Sequence, residues 1–180
     1  AAQLERVTSD SPADLAGLQR GDCVLFVNDQ PILSSSDLML RIGMLGPDTV
    51  ARVQVYRPHQ NSRHLLEVRL GKWPVYDDTS IIAPHSRYAP WRGVSVDFST
   101  ARYRFMPPLR RNNQHIRALV ITQVESGSSA AKANLQVGEF ISEVAGQAVV
   151  TPAEFAKAVE NAAGPIEVRM LDGRTVTIEP

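Results

Sequence analysis

Nucleophilic hydrolysis needs a serine or cysteine in a glycine-rich turn, with a histidine and an acid brought to it. The nearest string in the 180-residue chain is Gly127-Ser128-Ser129. Metal chemistry needs ligands at characteristic spacing, whereas His59, His64, His85 and His115 stand in loops or strand ends without such partners. The single Cys23 excludes an internal disulfide and a cysteine-based zinc site. Set in the apolar run from Cys23 to Val27, it reads as a small buried hydrophobe. A cationic stretch is the remaining candidate. Arg102, Arg104, Arg110, Arg111 and Arg117 are interleaved with Tyr103, Phe105 and His115, and no acid occurs from Phe98 to Val124. That mixture suits nucleic acid or an acidic peptide; the preferred reading is a solvated loop, broken at Pro107-Pro108, whose charge is balanced elsewhere. No residue is assigned a catalytic, metal or cofactor role.

The elements that must position any site are written twice. Ser11 to Ile32 is echoed by Ser128 to Val149, a shift of 117 positions that superposes Leu18 on Leu135, Gly21 on Gly138, Asp22 on Glu139, Val27 on Val144 and Gln30 on Gln147. The shift assigns Ser128-Ser129 to the start of a short helix, which removes the one nucleophile candidate. Gly17 and Asn134, the residue types that best tolerate left-handed backbone, close the small helix in each copy. An apolar strand follows, with a turn at Asn28-Asp29 or Ala145-Gly146. Ser34 with Asp37, and Thr151 with Glu154 around Pro152, then mark helix starts. Leu38, Ile42 and Leu45 recur at helical spacing, as do Phe155, Val159 and Ala162, up to stops at Gly46-Pro47 and Gly164-Pro165. Each copy ends in a hairpin. Ala51, Val53 and Val55 return through Leu66, Val68 and Leu70 after a polar loop at Pro58 to Arg63; Ile166, Val168 and Met170 return through Val176 and Ile178 after the turn at Asp172-Gly173.

The order of small helix, Gly-Leu-x-x-Gly-Asp, strand, turn and capped helix resembles the PDZ domain, in the permuted form carried by bacterial HtrA-type serine proteases. Ser11 to Ile32 carries the resemblance almost throughout, and the second copy more loosely. It implies an α+β class: two PDZ-like, partly open barrels or sandwiches, each capped by two helices, at residues 1–71 and 91–180. Residues 72–90 read as a linker with three prolines, apolar enough at Trp73, Val75, Ile81 and Ile82 to pack on a domain or to supply it a strand. Residues 99–117 read as an insert. The HtrA nucleophile motif Gly-Asn-Ser-Gly-Gly has no match here, so the expectation is a non-catalytic module.

The resemblance also implies a site. PDZ domains add a peptide as an extra strand to a sheet edge, and backbone N–H groups of an x-Φ-Gly-Φ loop hold its terminal carboxylate. Trp91-Arg92-Gly93-Val94 fits that loop. The N–H groups of Arg92, Gly93 and Val94 would hold the carboxylate, Val94-Ser95-Val96 would be the edge strand, and Val94, Val96, Phe155 and Val159 would line the side-chain pocket. Arg92 departs from the apolar residue of the pattern; its guanidinium either assists the carboxylate or points to solvent. The competing expectation is that Trp91 and Val94 only close the core, with the groove blocked and the chain serving assembly.

Leu4 to Val7 aligns with Ile121 to Val124 and is expected to be a strand. The first copy has no loop of this kind before it, which suits either a fragment of a longer protein or a domain that acts as a spacer. Composition excludes little else. With 19 basic and 19 acidic residues the formal net charge is zero, so no global field draws the chain to nucleic acid or a membrane. No apolar run spans a bilayer, the first residues are no signal peptide, and a signal for export would lie outside this chain. The expected partners are extended peptides or protein C-termini and a protease domain of the same parent, in a periplasmic setting.

Overall fold

The computed structural model describes residues 1–73, 88–105 and 115–180. They form two compact units, the first built on Ala1–Lys72 and the second on Ile116–Pro180 with the described part of Trp73–Asn112. Most of the linker and residues 106–114 of the insert lie outside the described residues, and with them the idea that the linker supplies a strand.

In the first unit β1 (Ala2–Gln3), β2 (Cys23–Val27), β4 (Val50–Arg57) and β5 (Ser62–Arg69) lie in that order in one open antiparallel sheet, with β3 (Gln30–Pro31) paired to β2. Helices α1 (Pro12–Leu15) and α2 (Ser35–Met44) complete it. In the second unit the order is β11 (Thr175–Ile178), β10 (Ile166–Met170), β8 (Phe140–Val144), β7 (Leu119–Val124) and β6 (Val94–Phe98), with β9 (Gln147–Ala148) on β8. Its helices are α3 (Ser129–Lys132) and α4 (Pro152–Val159). Both are α+β, and neither sheet closes into a barrel.

The sequence shift holds to the residue through the front of each unit. α1, β2 and β3 map onto α3, β8 and β9 with both ends of each element coinciding. Gly17 and Asn134 both take positive φ, 84° and 62°, at the end of their helices. Ser34 and Thr151 cap α2 and α4 by accepting the N–H three residues on, and Glu154 reaches back to the Thr151 N–H to complete a capping box. The helices stop earlier than their Gly-Pro signals: α2 ends at Met44 and α4 at Val159, leaving Ala162 outside the helix.

Leu4 to Val7 is not a strand, which corrects the expectation for that segment. The alignment itself is sound: Leu4 exchanges bonds with Asp22 and Gly21 just as Ile121 does with Glu139 and Gly138. The difference is a partner. Ile121 to Val124 is paired along β6, through Val94↔Val124 and Val96↔Ile121. Among the described residues nothing pairs with Leu4 to Val7 in this way, and unpaired backbone does not hold strand geometry in water.

Each unit has its own core. Val24, Val27, Ile32, Ala51, Val53 and Val55 anchor the first, and Leu119, Ile121, Ile141, Val144, Val168 and Ile178 the second. The second core also takes in Val94 and Val96 from β6 with Phe155 and Val159 from α4.

Candidate functional site

The site residues converge where the chain enters β6. Trp91 and Val94 exchange both backbone bonds at 2.9 Å, which closes Arg92-Gly93 as a two-residue turn with φ of 48° and 83°. Positive φ at both central positions is the hairpin turn that matches strand twist. Gly93 is required on a second ground. A Cβ there would lie 2.2 Å from the Ser128 Cβ, because the turn sits on the start of α3, with the Ala130 N–H donating to the Arg92 carbonyl and the Glu125 N–H to the Gly93 carbonyl.

Arg92 is turned to the protein's own backbone rather than to solvent. Its guanidinium donates to the Ile178 carbonyl at 2.6 Å, the Ala162 carbonyl at 3.0 Å and the Gly164 carbonyl at 2.7 Å, and lies 4.5 Å above the Trp91 ring. The planar fork of an arginine can reach several carbonyls at once, here those just beyond α4 and at the end of β11. Trp91 in turn meets Phe155 edge-on, with ring centroids 6.1 Å apart.

β6 is the edge of its sheet, and no described strand pairs with its outer side. Its inner side follows β7 with a bulge between Ser95 and Val96, where the Thr122 hydroxyl donates to the Ser95 carbonyl. α4 packs against β6 and β8. Val94, Val96, Phe155 and Val159 are therefore brought together, but they are only 1–6% exposed and belong to one core cluster. Of the three N–H groups expected to hold a carboxylate, that of Val94 is already given to Trp91, while those of Arg92 and Gly93 have no acceptor among the described residues. One of the three N–H groups is thus engaged, and the four apolar side chains pack on one another between β6 and α4.

The start of the insert is not the solvated loop expected for it. Residues Ser99–Arg104 form a 3-10 helix in which Ser99, Ala101, Arg102 and Tyr103 are buried. Arg102 donates to the Ser99 carbonyl and the Tyr103 hydroxyl and lies 4.6 Å above the Tyr103 ring, so its charge is turned inward. Arg110 and Arg111 lie outside the described residues.

A feature that sequence reasoning missed lies in the first unit. Asp22 is fully buried and receives Arg57 through both carboxylate oxygens, at 2.8 and 2.9 Å, together with the Gln19 N–H. Burial pushes this carboxyl up, but the Arg57 and Gln19 hydrogen bonds outweigh it and hold it below the usual carboxylate range. Arg57 also donates to the Gly17 carbonyl, tying the end of α1 to β4. In the second unit Glu139 takes the Gln136 N–H in the same way, but its arginine is Arg174 ahead of β11, and the pair is partly exposed. The repeated Gly-Asp and Gly-Glu were the available signal; the arginines escaped because Arg57 ends β4 whereas Arg174 stands between β10 and β11.

The PDZ domain family model matches residues 4–39, in the first unit, and 120–171, in the second. Both units are PDZ domains. The chain is similar to proteins named probable periplasmic serine endoprotease DegP-like: 32% identical over 89% of its length to that of Pseudomonas fulva, 33% over 88% to that of Ectopseudomonas mendocina, and 31% over 87% to that of a Marinomonas species. It spans about a third of each relative, 31–32% of their lengths. The family match falls on one PDZ segment in each unit.

Proposed function

We propose that the second PDZ unit binds extended peptides, protein C-termini among them, along the outer edge of β6 and against α4, and that it does so as the substrate-capturing or regulatory part of an HtrA-type serine protease. The observation that carries this reading is that β6 is an unpaired sheet edge entered through Trp91-Arg92-Gly93-Val94. Unpaired edge groups supply main-chain hydrogen bonds to an added strand, and a pocket beside them supplies selectivity. The apolar character of Val94, Val96, Phe155 and Val159 suits an apolar terminal side chain. The similarity to DegP-like endoproteases supports a protease domain in the parent protein and a periplasmic location. Among the described residues no helix is long and apolar enough to cross a membrane.

The burial of the four pocket residues favours a second reading, in which the unit docks domains or subunits and binds no free peptide. Titration with free-acid peptides and their C-terminally amidated forms separates the two. Peptide capture predicts that selected free acids bind and that amidation weakens them about tenfold, or 1.4 kcal/mol. Absence of binding in both forms leaves the assembly reading.

A further inference from the structure

We infer that Arg92 is a latch that holds the Trp91–Val94 turn closed across the end of the groove between β6 and α4. The inference rests on the peptide-binding reading for its functional meaning, but its structural basis is independent of it. The walls of the groove are a strand and a helix joined by no hydrogen bond between their own backbones. Among the described residues, the side chain that carries hydrogen bonds from the β6 side to the segment after α4 is Arg92. Arg92 leaves the turn that opens β6 and reaches two carbonyls just past the end of α4, at Ala162 and Gly164, and a third on β11, at Ile178. Its guanidinium also covers Trp91, whose ring edge packs on Phe155 of α4.

Three consequences follow from these contacts. The Val94 N–H is held on the Trp91 carbonyl, so the loop presents fewer donors to an anion than its length allows. Phe155 and Val159 stay pressed on Val94 and Val96. The guanidinium is itself occupied by neutral acceptors. A carboxylate entering this end must displace the Trp91–Val94 bond, and a pocket for its side chain requires α4 to move off β6. Both movements run against the contacts of Arg92. Arg92 is thus a positioning residue that sets how readily the groove opens, rather than a ligand for the carboxylate.

Arg92→Lys keeps the charge and removes the planar fork, and Arg92→Gln removes both. The test is amide hydrogen exchange on the whole chain without peptide, with the amides of Val144 and Val168 as the check that the unit remains folded. The latch predicts that the Val94 amide exchanges about tenfold faster in both variants while those core amides keep their protection. Unchanged exchange at Val94, or equal acceleration at all three positions, overturns it. A peptide titration on the same samples tests the functional consequence: free-acid peptides bind both variants at least about threefold tighter than the parent chain, with the difference lost on amidation. Weaker binding of free acids to both variants overturns the latch and assigns Arg92 to the carboxylate. If Val94 is released but no peptide binds any form, the latch stands and the peptide-binding reading fails.

Discussion

Helices α2 and α4 occupy equivalent places in the two units and begin with equivalent caps, yet α4 buries Pro152, Phe155 and Val159 whereas α2 buries none of its residues. Leu38 and Ile42 are half-covered, and Met39, Leu40 and Met44 are 65–78% exposed. The cause is not the helix. In the second unit β6 runs beside β7 and brings Val94 and Val96 under α4; no described strand does so at Leu4 to Val7. Amphipathic spacing states which face a helix offers, and the neighbouring sheet decides how much of it is covered.

That contrast can be broken most strongly at the helix faces. Phe155→Ala should cost about 3–5 kcal/mol, the usual loss for a buried aromatic, and Ile42→Ala only about 1–2, since its side chain is partly rather than fully buried. Urea unfolding of each variant, followed by amide exchange in its own unit, measures the difference. Equal costs would show that α2 is covered as fully as α4.

The acid–arginine pairs give the next largest separation. Asp22→Asn leaves Arg57 buried without its counter-charge and should cost the first unit about 3–5 kcal/mol. Glu139→Gln breaks a partly exposed pair and should cost about 0–1 kcal/mol. The Asp22 carboxyl titrates lower when folded than when unfolded, so its contribution is present above the unfolded value of about 3.9 and is lost as pH falls through the folded one. The gap between Asp22→Asn and the parent chain should therefore narrow below about pH 4, and a gap constant down to pH 2 would refute the assignment.

Gly93→Ala combines positive φ with a Cβ driven into Ser128, and should destabilise the second unit by about 1–3 kcal/mol while leaving the first unit's exchange unchanged. The smallest effect is a predicted equality. Thr151→Ala and Ser34→Ala each remove an N-cap and should each cost about 1 kcal/mol, whatever the burial of the helix that follows.

Local chemistry was the most legible part of the molecule. Caps at Ser34 and Thr151, left-handed Gly17 and Asn134, and the alternation of β4, β5, β10 and β11 depend on neighbours in sequence and could be read there. Leu4 to Val7 could not, because a segment with strand-like residues remains irregular until another strand pairs with it. The meeting of Arg92 with Ala162, Gly164 and Ile178 was hidden for the same reason: its acceptors are backbone carbonyls, which carry no residue type. The inward turn of Arg102 was equally hidden, since arginine with tyrosine spells a surface patch and a buried stack alike. Sequence pattern named Val94, Val96, Phe155 and Val159 together, but not how closely they pack on one another, because burial is set by the assembled sheet and helix.

Cys23 is the sole cysteine and stands half-buried in β2 of the first unit, while Trp91 lies in the turn of the second. The two units consequently carry different chemical reporters. Thiol-modification rates read the opening of the first unit alone; with Trp73→Phe removing the other indole, fluorescence reads the surroundings of the Arg92 stack alone. A single unfolding experiment with both signals would show whether the repeats melt as one cooperative body or in sequence, without dissecting the chain.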